Sequence, residues 1–204
     1  MGGAVATLLR DMPDSARPRP VDAQQRKRLS KYLSLVLRHR PEAAGVELDA
    51  RGRCPIELLA AAASRALRFP VDRAAIEELA RPAPGEKVRF ELDGDLVRAG
   101  HGHSLSVDGY RRVEPTAPLY HATVRSALPA IRRDGLRAMR RQKVHLAHDR
   151  AITLEAARRR GPDTVLIEVD VAAAAAAGVR FYESADPRIV LADDIPAICL
   201  RIPD

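Results

Sequence analysis

Residues 88–98 (VRFELDGDLVR) decide the fold of the first half of this 204-residue chain. Two runs that contain several apolar side chains, residues 88–92 and 96–98, flank Asp93 and Gly94. An Asp-Gly pair between two such runs is a strong short-range signal for a hairpin turn. We therefore predict a β-hairpin made of residues 88–92 and 96–98.

Three helices are predicted upstream of this hairpin. The first begins with Asp22, which has capping-box spacing to Gln25, and carries apolar residues at helical intervals. It should end just before Pro41, because a proline disfavours helical geometry in the residue that precedes it. The second begins at Pro55 and the third follows Asp72. Three helices followed by a hairpin are typical of a winged-helix domain.

The pattern changes near Pro115 and Pro118, after which short predicted strands and helices alternate. We therefore expect an α+β protein with three parts. Residues 1–20 form a flexible N-terminal arm, residues 21–114 form a first lobe, and residues 115–204 form a second lobe.

Composition narrows the class of protein without assigning a function. The 34 Lys and Arg outnumber the 27 Asp and Glu, giving a net charge of +7 spread over both halves, so charge only weakly favours a polyanionic partner. Two cysteines are too few for a disulfide framework, which favours a reducing, cytoplasmic location. No apolar run approaches the length of a membrane span, so we expect no membrane partner.

Arginines and histidines at the ends of predicted elements are the candidate functional residues, because such groups suit phosphate binding. Arg38 and His39 end the first helix, and Arg98 ends the hairpin. Taken alone, the first two are explained as cations capping a helix C-terminus, and Arg98 as a contact to an RNA backbone. The histidines at 101 and 103, and at 145 and 148, lack the carboxylate or cysteine support of a zinc site, so no metal is expected.

Ordered motifs from about residue 26 to the C-terminus resemble the NAD-dependent RNA (tRNA) 2′-phosphotransferase family. Each motif is short, and the specificity lies in their order and spacing. The motifs are residues 29–31, 37–42, 45–52 and 98–104 in the first lobe, and 119–123, 134–141, 144–146, 159–161, 181–184 and 190–191 in the second. The sequence departs from the usual family pattern at Gly100, His101, Ala122, Lys143, Pro187 and Arg188.

This resemblance implies a winged-helix RNA lobe joined to an ADP-ribosyltransferase-like NAD lobe, with NAD as co-substrate. The implied reaction removes an internal RNA 2′-phosphate through an ADP-ribosylated RNA 2′-phosphate intermediate. Its products are 2′-hydroxyl RNA, ADP-ribose 1″,2″-cyclic phosphate and nicotinamide. The implied substrate is a tRNA-like RNA carrying an internal 2′-phosphate, and we expect a monomer.

The resemblance also assigns roles to individual residues. The catalytic set is Arg38, His39, Arg98 and Arg159; the NAD-binding set is His121, Thr123, Arg141 and His145; and the RNA-binding set is Lys31, His103 and Ser104. The catalytic arginines are expected to hold the 2′-phosphate, while His39 polarises or protonates the leaving 2′-oxygen.

Two alternatives remain open from the sequence. One is an ADP-ribosyltransferase that stops after the first step and caps phosphorylated nucleic-acid ends. The other is a catalytically inactive winged-helix protein that only binds RNA.

Overall fold

The computed structural model describes residues 21–83, 86–158, 161 and 163–203, and they form a mixed α/β fold with two antiparallel sheets. The helices are α1 (Ala23–Arg38), α2 (Ile56–Leu67), α3 (Arg73–Ala80), α4 (Leu128–Asp134), α5 (Arg150–Arg158) and α6 (Val171–Ala176). The strands are β1 (Arg53–Pro55), β2 (Phe90–Asp93), β3 (Leu96–Ala99), β4 (Arg112–Val113), β5 (Leu119–Val124), β6 (Val144–Ala147), β7 (Thr164–Val169), β8 (Phe181–Glu183), β9 (Ile189–Ala192) and β10 (Leu200–Arg201). The arm predicted for residues 1–20 and the predicted catalytic residue Arg159 lie outside the described residues.

Helix α1 forms where the sequence predicts it, and its first turn has the expected cap. The Asp22 side chain accepts a hydrogen bond from the Gln25 backbone at 2.8 Å, and the Gln25 side chain accepts one from the Asp22 backbone at 3.0 Å. This reciprocal pair satisfies two amide groups that the helix leaves open. One face of α1 is fully buried, so the helix is held by packing against the first hydrophobic cluster.

The predicted hairpin is confirmed, with its turn one residue later than expected. Strands β2 and β3 pair in antiparallel register, with Glu91 opposite Arg98. The two residues between the strands are Gly94 and Asp95, and Gly94 has a φ of +60°. Glycine adopts this positive φ without a steric penalty, which suits the first central position of a two-residue hairpin turn.

Strands β1 and β4 were not predicted, because two or three residues are too few to show an alternating pattern. β1 pairs with the other side of β3, which completes a three-stranded sheet of order β1-β3-β2. β4 pairs with β8 at the edge of a seven-stranded sheet of order β10-β7-β5-β6-β9-β8-β4. The first sheet packs with α1, α2 and α3 around one hydrophobic cluster, and the second sheet contributes to a separate one. None of the described helices is long and apolar enough to cross a lipid bilayer.

The loop after β3 touches the segment after β8 at a very close approach. A Cβ added to Gly100 would lie 2.2 Å from the Cβ of Ala185. We expect Gly100→Ala to lower the free energy of unfolding by about 1–3 kcal/mol, because both backbones would have to move apart. Urea unfolding measures the loss.

The partner substitution supplies the control for this contact. Adding Ala185→Gly to Gly100→Ala removes the clashing methyl group, and the remaining Ala185 atoms lie at 3.5 Å or more from the new Cβ. The double variant should therefore recover most of the lost stability. A double variant no more stable than Gly100→Ala alone would show that the two segments do not meet as described.

Candidate functional site

A cluster of arginine and histidine side chains forms where the end of α1, the loop after β3 and the segment entering β6 come together. The backbone N–H of Ser104 donates to the carbonyl of Arg38 at 3.0 Å, which joins the loop to the helix end. The ring of His101 lies 5.3 Å from the ring of His145 in an edge-on arrangement. Residues from distant parts of the sequence are thus brought into one site.

Arg38 is the central cation of this cluster. Its Nε and Nη2 atoms are buried and have no hydrogen-bond partner among the described residues. Burial, together with the charges of Arg89 and Arg141, lowers the pKa of Arg38 to about 10. A buried guanidinium without acceptors and with two cationic neighbours is energetically unfavourable by itself and would be stabilised by an anion.

His101 and His103 lie beside Arg38 in the loop that follows β3. His103 is buried and hydrogen-bonds through Nδ1 to the hydroxyl of Tyr110 at 2.8 Å, while its Nε2 has no partner among the described residues. Burial, and then the charge of Arg38, lowers the pKa of both histidines to about 4. Both imidazoles are therefore neutral at pH 7.

His121 on β5 and His145 on β6 are each held by a backbone carbonyl. The Nδ1 of His145 lies 3.1 Å from the carbonyl of Lys143, and the Nδ1 of His121 lies 3.0 Å from the carbonyl of His145. A carbonyl only accepts, so each Nδ1 carries a hydrogen. In the neutral ring of His145 this leaves Nε2 as an acceptor. Burial and the charge of Arg141 lower the pKa of His145 to about 3, and its buried Nε2 has no partner among the described residues.

Arg98 lies at the edge of the cluster, and an ion pair with Glu91 partly neutralises its charge. Its Nε donates to Glu91 at 2.6 Å, directly across the hairpin. The positive charge of Arg98 nevertheless lowers the pKa of His103 and opposes the rise in the pKa of Tyr110. Arg98 is therefore close enough to contribute to the positive electrostatic potential of the site.

The remaining predicted residues surround this centre. Thr123 lies two residues after His121 on β5, hence on the same face of the strand. Ser104 touches His39, with Oγ 2.9 Å from Nδ1. Lys31 is exposed on α1, about two turns before His39.

Gln142 was not predicted, yet it holds the loop of the site in place. Its backbone N–H donates to the carbonyl of His103 at 2.7 Å. Its side chain donates to the carbonyl of Val107 at 2.8 Å and accepts from the Val107 backbone at 3.3 Å. No periodicity or motif singles out this glutamine, because its role depends on a partner loop 35 residues away.

A basic groove of about 600 Å³ runs along α1 and ends at His39. It is also lined by Lys27, Lys31, Lys87 and Arg89, which are exposed and form no ion pair within the described part of the chain. By contrast, a further arginine of the groove, at position 26, is paired with glutamates 78 and 86. The groove therefore presents several free cations beside the Arg38 cluster.

Comparison with a family profile and with individual proteins points to a single protein family. A profile of the RNA 2′-phosphotransferase, Tpt1 / KptA family matches residues 24–193. The chain is 43% identical over 176 residues to a probable RNA 2′-phosphotransferase of Agrobacterium fabrum, covering 85% of this chain and 92% of the relative. It is 41% identical to one of Streptomyces coelicolor, covering 86% and 94%, and 39% identical to one of Pyrobaculum aerophilum, covering 89% and 83%.

Proposed function

The chain belongs to the RNA 2′-phosphotransferase, Tpt1 / KptA family, and on this basis we propose that it removes an internal 2′-phosphate from RNA with NAD as co-substrate. The proposed route passes through an ADP-ribosylated RNA 2′-phosphate and releases 2′-hydroxyl RNA, ADP-ribose 1″,2″-cyclic phosphate and nicotinamide. The observation that carries the proposal is that the buried Nε and Nη2 of Arg38, beside His39, have no hydrogen-bond partner among the described residues.

The architecture that we propose for this activity has two functional lobes. Residues 21–114 act as a winged-helix RNA lobe, and residues 115–204 act as an ADP-ribosyltransferase-like lobe that binds NAD. The three helices and three-stranded sheet of the first part support the winged-helix interpretation. We further propose a monomer that works in the cytoplasm, a location supported by the free, buried state of both Cys54 and Cys199.

The chemistry of Arg38 supports phosphate binding. Nε–H and Nη2–H lie along one edge of the guanidinium, which matches two oxygens of a phosphate. A bound 2′-phosphate would supply the acceptors that these buried donors lack within the described part of the chain, and it would offset the mutual repulsion with Arg89 and Arg141. Arg98 and Arg159 complete the proposed phosphate-binding set.

The neutral ring of His145 suits a nucleotide that is rich in hydroxyl groups. Its Nε2 is an acceptor that is buried without a partner among the described residues. A ribose hydroxyl can donate to such a nitrogen, while the exposed cation of Arg141 suits a pyrophosphate. We therefore propose that His145 and Arg141, together with His121 and Thr123, bind NAD. When bound, NAD supplies an electrophilic ribose carbon whose leaving group, nicotinamide, departs as a neutral ring.

One incubation tests this function against its alternatives. Purified protein is mixed with NAD and a short RNA carrying one internal 2′-phosphate, and the phosphate and free nicotinamide are followed together. Formation of 2′-hydroxyl RNA and the cyclic phosphate is the expected result. Accumulation of ADP-ribosylated RNA would indicate a one-step ADP-ribosyltransferase, and RNA binding without release of nicotinamide would indicate an inactive RNA-binding protein.

The basic groove supports RNA as the partner, with Lys31 among its contacts. We expect Lys27→Ala combined with Lys31→Ala to weaken RNA binding and to reduce the slope of log Kd against log salt by roughly 1–2, since each lysine that contacts a phosphate releases about one counterion. Arg112→Ala is the matched control, because Arg112 is exposed on β4 and does not line the groove. An unchanged salt slope in the double variant would exclude the groove as the path of the RNA.

A further inference from the structure

Ser104 contacts both the backbone and a side chain at the end of α1. Its N–H donates to the carbonyl of Arg38 at 3.0 Å, which fixes the position of the serine. Its Oγ then lies 3.3 Å from the same carbonyl and 2.9 Å from Nδ1 of His39. The hydroxyl is thus placed between a group that can only accept and a ring nitrogen that can donate or accept.

We infer that Ser104 is a positioning residue that sets the tautomer of His39, with the hydrogen on Nδ1 and the lone pair on Nε2. A serine hydroxyl has one hydrogen to donate and lone pairs to accept with. If that hydrogen goes to the Arg38 carbonyl and Nδ1–H donates to Oγ, both contacts are hydrogen bonds, the one to the carbonyl being the longer. If the hydroxyl instead donates to Nδ1, the contact with the carbonyl is lost. The first arrangement is favoured because it forms two bonds rather than one.

The charges around His39 keep this imidazole neutral. Arg38 precedes it on α1, Arg141 faces it from the segment before β6, and His103 approaches it from the loop after β3. Burial, and then the two arginines, lower the pKa of His39 below its usual value. His39 also lines the basic groove. The other charged groups of that groove are one ion pair, Arg26–Glu86, and four cations: Lys27, Lys31, Lys87 and Arg89. At pH 7 the lone pair on Nε2 is therefore available to accept a proton.

A role for this lone pair follows if the proposed function holds. In the second step the ribose 2″-hydroxyl attacks phosphorus, so the bond from O2″ to phosphorus forms and the bond from phosphorus to the RNA 2′-oxygen breaks. His39 Nε2 takes the hydroxyl proton and then gives it to the departing RNA oxygen. Atoms and charge balance, and the imidazole returns to its starting tautomer. His39 thus acts first as an acceptor, whereas the sequence-based prediction makes it only a donor.

The tautomer is measurable in the protein without NAD or RNA. Two-bond proton–nitrogen NMR spectra of the imidazoles distinguish a protonated Nδ1 from a protonated Nε2, and His39→Asn identifies the His39 signals among the six histidines. We expect protonated Nδ1 in the wild type. Ser104→Ala should shift His39 towards protonated Nε2, and Ser104→Thr, which keeps the hydroxyl, should restore Nδ1. A wild-type His39 protonated on Nε2, or an unchanged tautomer in Ser104→Ala, would overturn the inference.

Single-turnover kinetics then test the consequence for catalysis. In the wild type, the conversion of ADP-ribosylated RNA should become faster as pH rises through the pKa of His39, because only the unprotonated ring accepts the proton. Ser104→Ala should lower the plateau of this profile at least about tenfold, and Ser104→Thr should recover it. A profile unchanged in Ser104→Ala would also contradict the inference. If even the wild type converts no RNA, the proposed function fails, and the NMR result still decides the role of Ser104.

Discussion

Replacing Arg38 with methionine is expected to lower kcat/KM for removal of the 2′-phosphate by roughly 10³-fold while leaving the fold as stable as before or more stable. The substitution keeps the aliphatic part of the side chain and removes a guanidinium whose buried Nε and Nη2 find no acceptor among the residues that the structure describes. That group lowers the stability of the free protein, because its charge is desolvated and repelled by Arg89 and Arg141. Activity and unfolding free energy should therefore change in opposite directions.

Steady-state kinetics and urea unfolding of the same preparations measure the two effects. Arg40→Met is the matched control: Arg40 lies two residues further on, is exposed, and makes no side-chain hydrogen bond or ion pair within the described part of the chain. It should leave both quantities nearly unchanged. Loss of stability by more than about 1 kcal/mol in Arg38→Met, or retention of full activity, would contradict the role given to Arg38.

Local signals were sufficient to predict the elements that carry the site. The capping box at Asp22 and the stop before Pro41 define α1, so the positions of Arg38 and His39 at its end follow from neighbouring residues alone. The hairpin also follows from its Asp-Gly sequence, but its register does not, because the turn lies one residue later than predicted. The pairing of Glu91 with Arg98, and hence the partly neutralised charge of Arg98, was therefore not predicted from the sequence.

Contacts between segments that are distant in the sequence could not be predicted from local patterns. Tyr110 holds His103, and Gln142 fixes the loop from His103 to Val107, but neither residue carries a periodic or motif signal. Their roles depend on how the second sheet meets the loop after β3. Such an arrangement is determined by packing of the whole chain, which local propensity does not encode.

Some departures from the family pattern meet in space. Gly100 and His101 lie against the segment that contains Pro187 and Arg188, where Asp186 accepts hydrogen bonds from Arg188 and raises the pKa of His101 against the dominant effect of burial. In the sequence these positions are more than 80 residues apart. They therefore look like independent changes, whereas in the structure they form one continuous part of the site's wall.

The second large effect is a loss of stability in mild acid. Burial lowers the pKa of His101 and His103 to about 4 and that of His145 to about 3, from a usual value near 6.5. At pH values between about 4 and 6.5 these histidines are protonated in the unfolded chain and neutral in the folded protein, so unfolding takes up protons. The stabilisation is complete above pH 6.5 and is lost as the pH falls towards 4. These three groups alone contribute at most about 4 kcal/mol per pH unit, and we expect a slope of about 1–3.

Urea unfolding at several pH values between 7 and 4.5 measures this slope. His101→Gln should reduce it by about a third, whereas His148→Gln, at an exposed position, should not change it. The buried Asp186 and the half-buried Asp193 do not account for a loss in this window. Burial raises the pKa of both carboxyl groups, but hydrogen bonds and ion pairs outweigh it and lower both pKa values below 3.8, so their contribution is lost at lower pH than that of the histidines. An unfolding free energy that stays constant between pH 6.5 and 5 would mean that the histidines are not buried in the neutral form, and the acceptor role proposed for Nε2 of His145 would fail with it.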